Sequence, residues 1–193
     1  MRGSLIEGAD GLVRCWWCGD DPLYVGYHDE EWGRPTTDER EVFELLALEG
    51  FQAGLAWITI LRKRAAFREA FDGFDIDTVA GYGERDIERL LGDARIVRHR
   101  GKIEATVRLA NLSQDLAGEG TSLSDLVWSF APPARSAPLT VDDEIPDNTP
   151  DALALSKALK ARGAKFVGPT IVYAFMQSAG LVDDHLAGCN RAP

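Results

Sequence analysis

Apolar residues recur along this chain with the period of helices rather than strands. Between Val42 and Glu49 they stand at 42, 45 and 46, the i, i+3, i+4 spacing of one helical face, and Glu49 takes the i+7 place on it. The pattern predicts a helix over 38–50, with Thr36 and Glu39 spaced as a capping box. Further helices are predicted over 55–71, 84–91, 98–116, 121–130, 150–162 and 169–179. In 98–116, Ile103, Val107 and Ala110 turn inward, with Arg98 and Lys102 on another face. Pro132, Pro133 and Pro138 make 131–138 a loop, and Thr149 with Pro150 opens the next helix. Gly163 and Gly180 close the last two helices. No segment alternates convincingly as a strand does, so the fold class expected is all-α.

Composition bounds the rest. A length of 193 residues with 45% apolar side chains fits one domain, placed over 14–193 behind a flexible tail at 1–13. No apolar run approaches the ~20 residues that span a bilayer. The first residues hold no long apolar stretch either, so a cytoplasmic protein is expected without membrane contact. Three cysteines argue against a disulfide framework. The net charge of -10 speaks against nucleic acid at first sight, but its distribution softens this. Thirteen of the 21 basic residues fall in three stretches, at 62–68, 95–108 and 157–165. A basic face on an acidic body can hold a phosphate backbone, and three solvated helix faces would read the same way.

Four constellations carry possible chemistry. Glu49 is a carboxylate on an apolar stripe, costing ~1–3 kcal/mol even when partly compensated. Trp57 follows eight residues later, past Gly50 and Gly54. An acid and a large aromatic at one helix corner suit a flat, cationic or amine-bearing ring. The competing reading turns Glu49 to water at a frayed helix end. The second constellation is the hairpin at Gly163–Gly168. There Lys165 and the open amides behind Gly168 could take a phosphate, although any helical hairpin has a glycine in its turn. The third is Cys15-x12-His28 near the start with His185-x3-Cys189 near the end. Two Cys and two His make a closed, structural zinc site, but Cys18 leaves the partner choice open, and buried thiols beside ordinary histidines remain the alternative. The fourth is an aromatic stretch, Trp16, Trp17, Tyr24, Tyr27 and Trp32, which serves equally as core or as a stacking wall for a base.

Several strings occur in order: Asp21-Pro22-Leu23-Tyr24, Tyr27-His28-Asp29-Glu30-Glu31-Trp32-Gly33, Leu48-Glu49-Gly50-Phe51-Gln52-Ala53-Gly54-Leu55-Ala56-Trp57-Ile58-Thr59, Arg98-His99-Arg100-Gly101-Lys102-Ile103, Lys165-Phe166-Val167-Gly168 and Gly180-Leu181-Val182-Asp183-Asp184-His185. Together they resemble the bacterial 3-methyladenine-DNA glycosylase I family of the helix–hairpin–helix superfamily, over about residues 14–189. The resemblance implies an all-helical, two-lobed fold with a base pocket between the lobes, lined by Glu49, Tyr27 and Trp57. It implies structural zinc on Cys15, His28, His185 and Cys189, without Cys18. It makes 151–179 the hairpin motif that grips the DNA backbone through Lys165 and Gly168, and sets Leu55 near the DNA as a wedge. Asp183 falls where related glycosylases carry a catalytic aspartate, and orienting His185 is its other possible role.

The function expected is a monomeric, monofunctional glycosylase that flips 3-methyladenine out of alkylated double-stranded DNA and hydrolyses its N-glycosidic bond, with Glu49 as the catalytic candidate. The free base is the product, and zinc is the one cofactor. Rival readings are a non-catalytic, zinc-stabilised DNA-binding module, which would not need Glu49 on an apolar face, and a zinc hydrolase, which four protein ligands disfavour.

Overall fold

The computed structural model describes residues 3–192. Among them the chain is predominantly helical, with one short antiparallel hairpin of β1 (Leu5–Glu7) and β2 (Val13–Cys15) in the register Leu5↔Cys15. This corrects two expectations, the absence of strands and a tail through residue 13. The Asp10 side chain closes the turn on the Leu12 N–H, and the Arg14 guanidinium pairs with Asp10 and Asp29 across it.

The helices are α1 (Pro22–Glu30), α2 (Glu39–Gln52), α3 (Trp57–Ala70), α4 (Ile76–Ala80), α5 (Glu84–Gly92), α6 (Arg100–Gly118), α7 (Leu123–Trp128), α8 (Pro150–Ala161) and α9 (Pro169–Ser178). α2 is the central element. It packs against α3, α6, α7 and α9, and every residue from Val42 to Phe51 is buried. A helix enclosed on all sides buries its polar positions along with the apolar ones. Phe43, Phe51, Phe67, Phe71 and Phe74 form the aromatic heart of the core around it.

The start of α2 differs from the capping box expected. Asp38 is the N-cap, accepting from the Glu41 N–H, while the Thr36 hydroxyl donates to the Glu41 carboxylate. Glu39 instead crosses to the start of α7 and accepts the N–H groups of Leu123 and Ser124, which are unpaired donors of that helix end. The chain ends meet at β2, where the Asn190 N–H donates to the Val13 carbonyl at 2.7 Å. Gly180, at φ 71, lets this return pass. A Cβ there would stand 2.2 Å from the carbonyl carbon of Arg34.

Candidate active site and Cys/His cluster

A cavity of about 230 Å³ opens between the N-terminal aromatic segment, α2, α3 and α9. Trp17, Tyr24, Tyr27 and Trp32 form one wall, Glu49 and Gln52 come from α2, and Trp57 opens α3. The Trp17 ring lies 4.8 Å from Trp32 and 5.1 Å from Tyr24, and the Tyr27 and Trp57 rings lie 5.5 Å apart. The sequence-predicted trio of Glu49, Tyr27 and Trp57 therefore meets in one place.

Glu49 is 3% exposed, because it sits a full turn inside α2 rather than at a frayed end. Burial pushes its carboxyl up to about 8, and the neighbouring Ser178 hydroxyl opposes that rise. Its Oε2 and the Trp57 Nε1 are buried without a partner. The contrast with Glu44, five residues earlier on the same helix, is informative. Glu44 is also buried, but Arg64 and Arg68 both pair with it. An acid left without a cation beside an aromatic wall is an electrostatic vacancy for a positively charged ring.

The second cluster lies directly behind that wall. One ligand atom each from Cys15, His28 and Cys189 lies within 4.8 Å of the others. The His185 ring stands 4.9 Å from His28, and its Nε2 is buried and unpartnered, though outside that tight set. Each histidine is held by an acid at its other nitrogen, His28 by Asp29 at 2.8 Å and His185 by Asp183 at 2.7 Å. Backbone N–H groups of Leu186 and Arg191 point at the sulfurs of Cys15 and Cys189. Burial, with Cys189 close by, pushes the Cys15 thiol up to about 12. The Cys18 thiol turns away, to the Cys15 carbonyl. Trp32 packs 4.7 Å from His185 and Trp17 packs 5.2 Å from His28, so the cluster supports the cavity wall.

The features expected to meet DNA are separate from the cavity floor. Leu55, 42% exposed, stands on the turn between α2 and α3. Lys165 is exposed on the turn between α8 and α9. That turn needs a glycine at Gly163, where φ is 88, but Gly168 has an ordinary extended backbone. A Cβ at Gly168 would meet nothing within 4 Å. The three basic stretches are not three cationic faces. Arg62, Arg64, Arg68, Arg95, Arg100 and Arg162 are paired with carboxylates. Lys102 is buried, donating to the Phe51 and Ala53 carbonyls. Lys63 donates to the Ala94 and Arg95 carbonyls, and among the described residues it has no carboxylate partner, nor have Arg98, Arg108, Lys157, Lys160 and Lys165.

The family model for methyladenine glycosylases matches residues 17–192. The chain belongs to the methyladenine glycosylase family. A relative in Escherichia coli (strain K12), DNA-3-methyladenine glycosylase 1, is 51% identical over 181 residues, covering 92% of this chain and 96% of its own. A crystal structure of a 3-methyladenine DNA glycosylase I superposes with a TM-score of 0.89 at 50% identity, over 93% of this chain and all of that one. A tyrosine-to-phenylalanine variant of a 3-methyladenine DNA glycosylase I, solved in complex with 3-methyladenine, superposes with a TM-score of 0.80 at 40% identity over 90% of this chain and 94% of that one.

Several cavity residues of this methyladenine glycosylase were not assigned to the site from the sequence, among them Gln52, Ala174, Gln177 and Asp184. Gln177 and Asp184 both line the cavity, whereas Asp183, the acid singled out beforehand, is spent on His185. A lone amide on the apolar face of α9 was the available signal for Gln177.

Proposed function

We propose that this chain excises 3-methyladenine from alkylated duplex DNA, water replacing the base at the sugar carbon to leave an abasic site and the free base. Methylation at N3 makes the adenine of a nucleotide cationic and weakens its bond to the sugar. The protein must then extrude the base, stabilise its charge and exclude solvent, and needs little leaving-group activation. The observation that carries this reading is Glu49, a buried acid with no cationic partner among the described residues, set against Tyr27 and Trp57. The rings offer π-faces to a cation, roughly 0.5–2 kcal/mol each. Glu49 balances the charge and accepts from the amino edge, its ionised form favoured by the bound cation and opposed by burial.

The rest of the reading follows from the same placement. The α8–α9 hairpin, as a helix–hairpin–helix motif, holds the DNA backbone through Lys165 and the amides behind Gly168, and Leu55 fills the gap left by the flipped nucleotide. Cys15, His28, His185 and Cys189 hold zinc. The unpartnered His185 nitrogen, the acids behind both histidines and the N–H groups aimed at both sulfurs support that assignment. Fully ligated by protein, the ion is a structural staple beneath the aromatic wall. The enzyme acts as a cytoplasmic monomer. Chromatography of products from methylated duplex DNA tests the proposal. Free 3-methyladenine and unbroken abasic strands are expected, and binding without base release would reduce the chain to a DNA-binding module.

A further inference from the structure

Asp184 is a buried carboxylate whose contacts on the protein side are all donors. Arg135, from the 129–149 segment, donates to its Oδ1 and to the Asp183 carbonyl. The Tyr173 hydroxyl donates to Oδ2 at 2.5 Å and the Gln177 amide at 2.7 Å. Both oxygens of Asp184 act as acceptors, and the side-chain amide of Gln177 faces it with the NH2 group. That fixes an orientation otherwise ambiguous for an amide. The carbonyl Oε1 then points away from Asp184, and among the described residues no donor reaches it. Gln177 lines the cavity together with Ala174, one turn earlier on α9. Its backbone carbonyl accepts from the Gly33 N–H at 3.0 Å, which anchors the end of α9 against the aromatic segment.

We infer that Gln177 is a specificity-determining residue, whose Oε1 accepts from the exocyclic amino group of the base, and that Asp184, Tyr173 and Arg135 are positioning residues that hold its amide in that orientation. This rests on the cavity being the base pocket. Glu49 and Gln177 then present two acceptors to the ligand. A base with an amino group satisfies them, whereas a base with a carbonyl at that place sets oxygen against oxygen. A site built to hydrogen-bond one group discriminates strongly against its replacement.

Titration of the purified, zinc-loaded protein with 3-methyladenine and with 3-methylhypoxanthine, which carries an oxygen in place of the amino group, tests the inference through tryptophan fluorescence. Wild type should prefer 3-methyladenine by at least about tenfold. Gln177→Met keeps the shape but not the acceptor, and should weaken 3-methyladenine about tenfold while 3-methylhypoxanthine, freed of the opposing oxygen, binds as well or better. In Asp184→Asn the new amide can donate to Gln177, letting its NH2 turn to the cavity, and the preference should shift toward 3-methylhypoxanthine. An unchanged ratio in Gln177→Met, or equal losses for both bases, overturns the inference. That variant decides alone if Asp184→Asn does not fold. Wild type that binds neither base overturns the pocket reading itself, and this assignment with it.

Discussion

Asp183 holds His185 twice, accepting from its backbone N–H at 3.0 Å and its ring Nδ1 at 2.7 Å. Burial works to raise the Asp183 carboxyl, but these bonds outweigh it and keep the group below the usual carboxylate range. An acid engaged in this way is set to orient the His185 ring rather than a water. Asp183→Asn should weaken zinc retention by about 10–100-fold and change single-turnover base release less than about threefold at saturating zinc. A large rate loss at full zinc content would return Asp183 to the reacting centre.

The Cys/His cluster joins β2 to the last turn of the chain, so metal there should act on folding first. Chelation should lower the melting temperature by roughly 10 °C or more, a few kcal/mol for a chain of this size. Cys15→Ser and His185→Ala should each lose stoichiometric zinc, and Cys18→Ser should keep it. Zinc lost in Cys18→Ser would reassign the ligand set.

Helix positions were legible because each apolar period was local and each stop was a Gly or Pro nearby. What could not be read depended on partners far along the chain. Glu39 has the spacing of a local cap, yet it satisfies α7, more than eighty residues away. Lys102 reads as a surface cation, but the open carbonyls at the end of α2 take its ammonium group inside. Pairing with carboxylates elsewhere likewise neutralised six of the thirteen residues in the apparent basic stripes. Leu5–Glu7 was too short to show alternation. Glu49 and Trp57 were legible because eight residues across a glycine-bearing corner bring them together, whereas Gln177 and Asp184 become neighbours only once the chain turns back at Gly180.

Lys165 stands exposed on the α8–α9 turn with no acidic partner among the described residues. Lys165→Ala should reduce the slope of log affinity for duplex DNA against log salt by about one, while affinity for the free base stays the same. An unaltered slope would place the DNA backbone elsewhere.

Glu49 also predicts a pH signature for stability. Its carboxyl rises to about 8 in the folded protein from an ordinary value near 4.5, so between these limits the folded state binds more protons than the unfolded one. Stability contributed by this group is present below about pH 4.5 and is lost as pH climbs through 8, by at most about 1.4 kcal/mol per pH unit. Denaturant titrations of Glu49→Gln between pH 5 and 8 should lose that downward slope. An identical slope in wild type and variant would mean that Glu49 is not the buried, unpaired acid described here.

Single-turnover release of 3-methyladenine from methylated duplex DNA, wild type against Glu49→Gln at matched zinc content and melting temperature, decides whether Glu49 serves the departing base. If the buried acid balances the charge of the base, the variant should release it at least about 100-fold more slowly, the loss of a charge-assisted contact in a dry site. Release at the wild-type rate by a folded, zinc-loaded Glu49→Gln would show that Glu49 plays no part in base release.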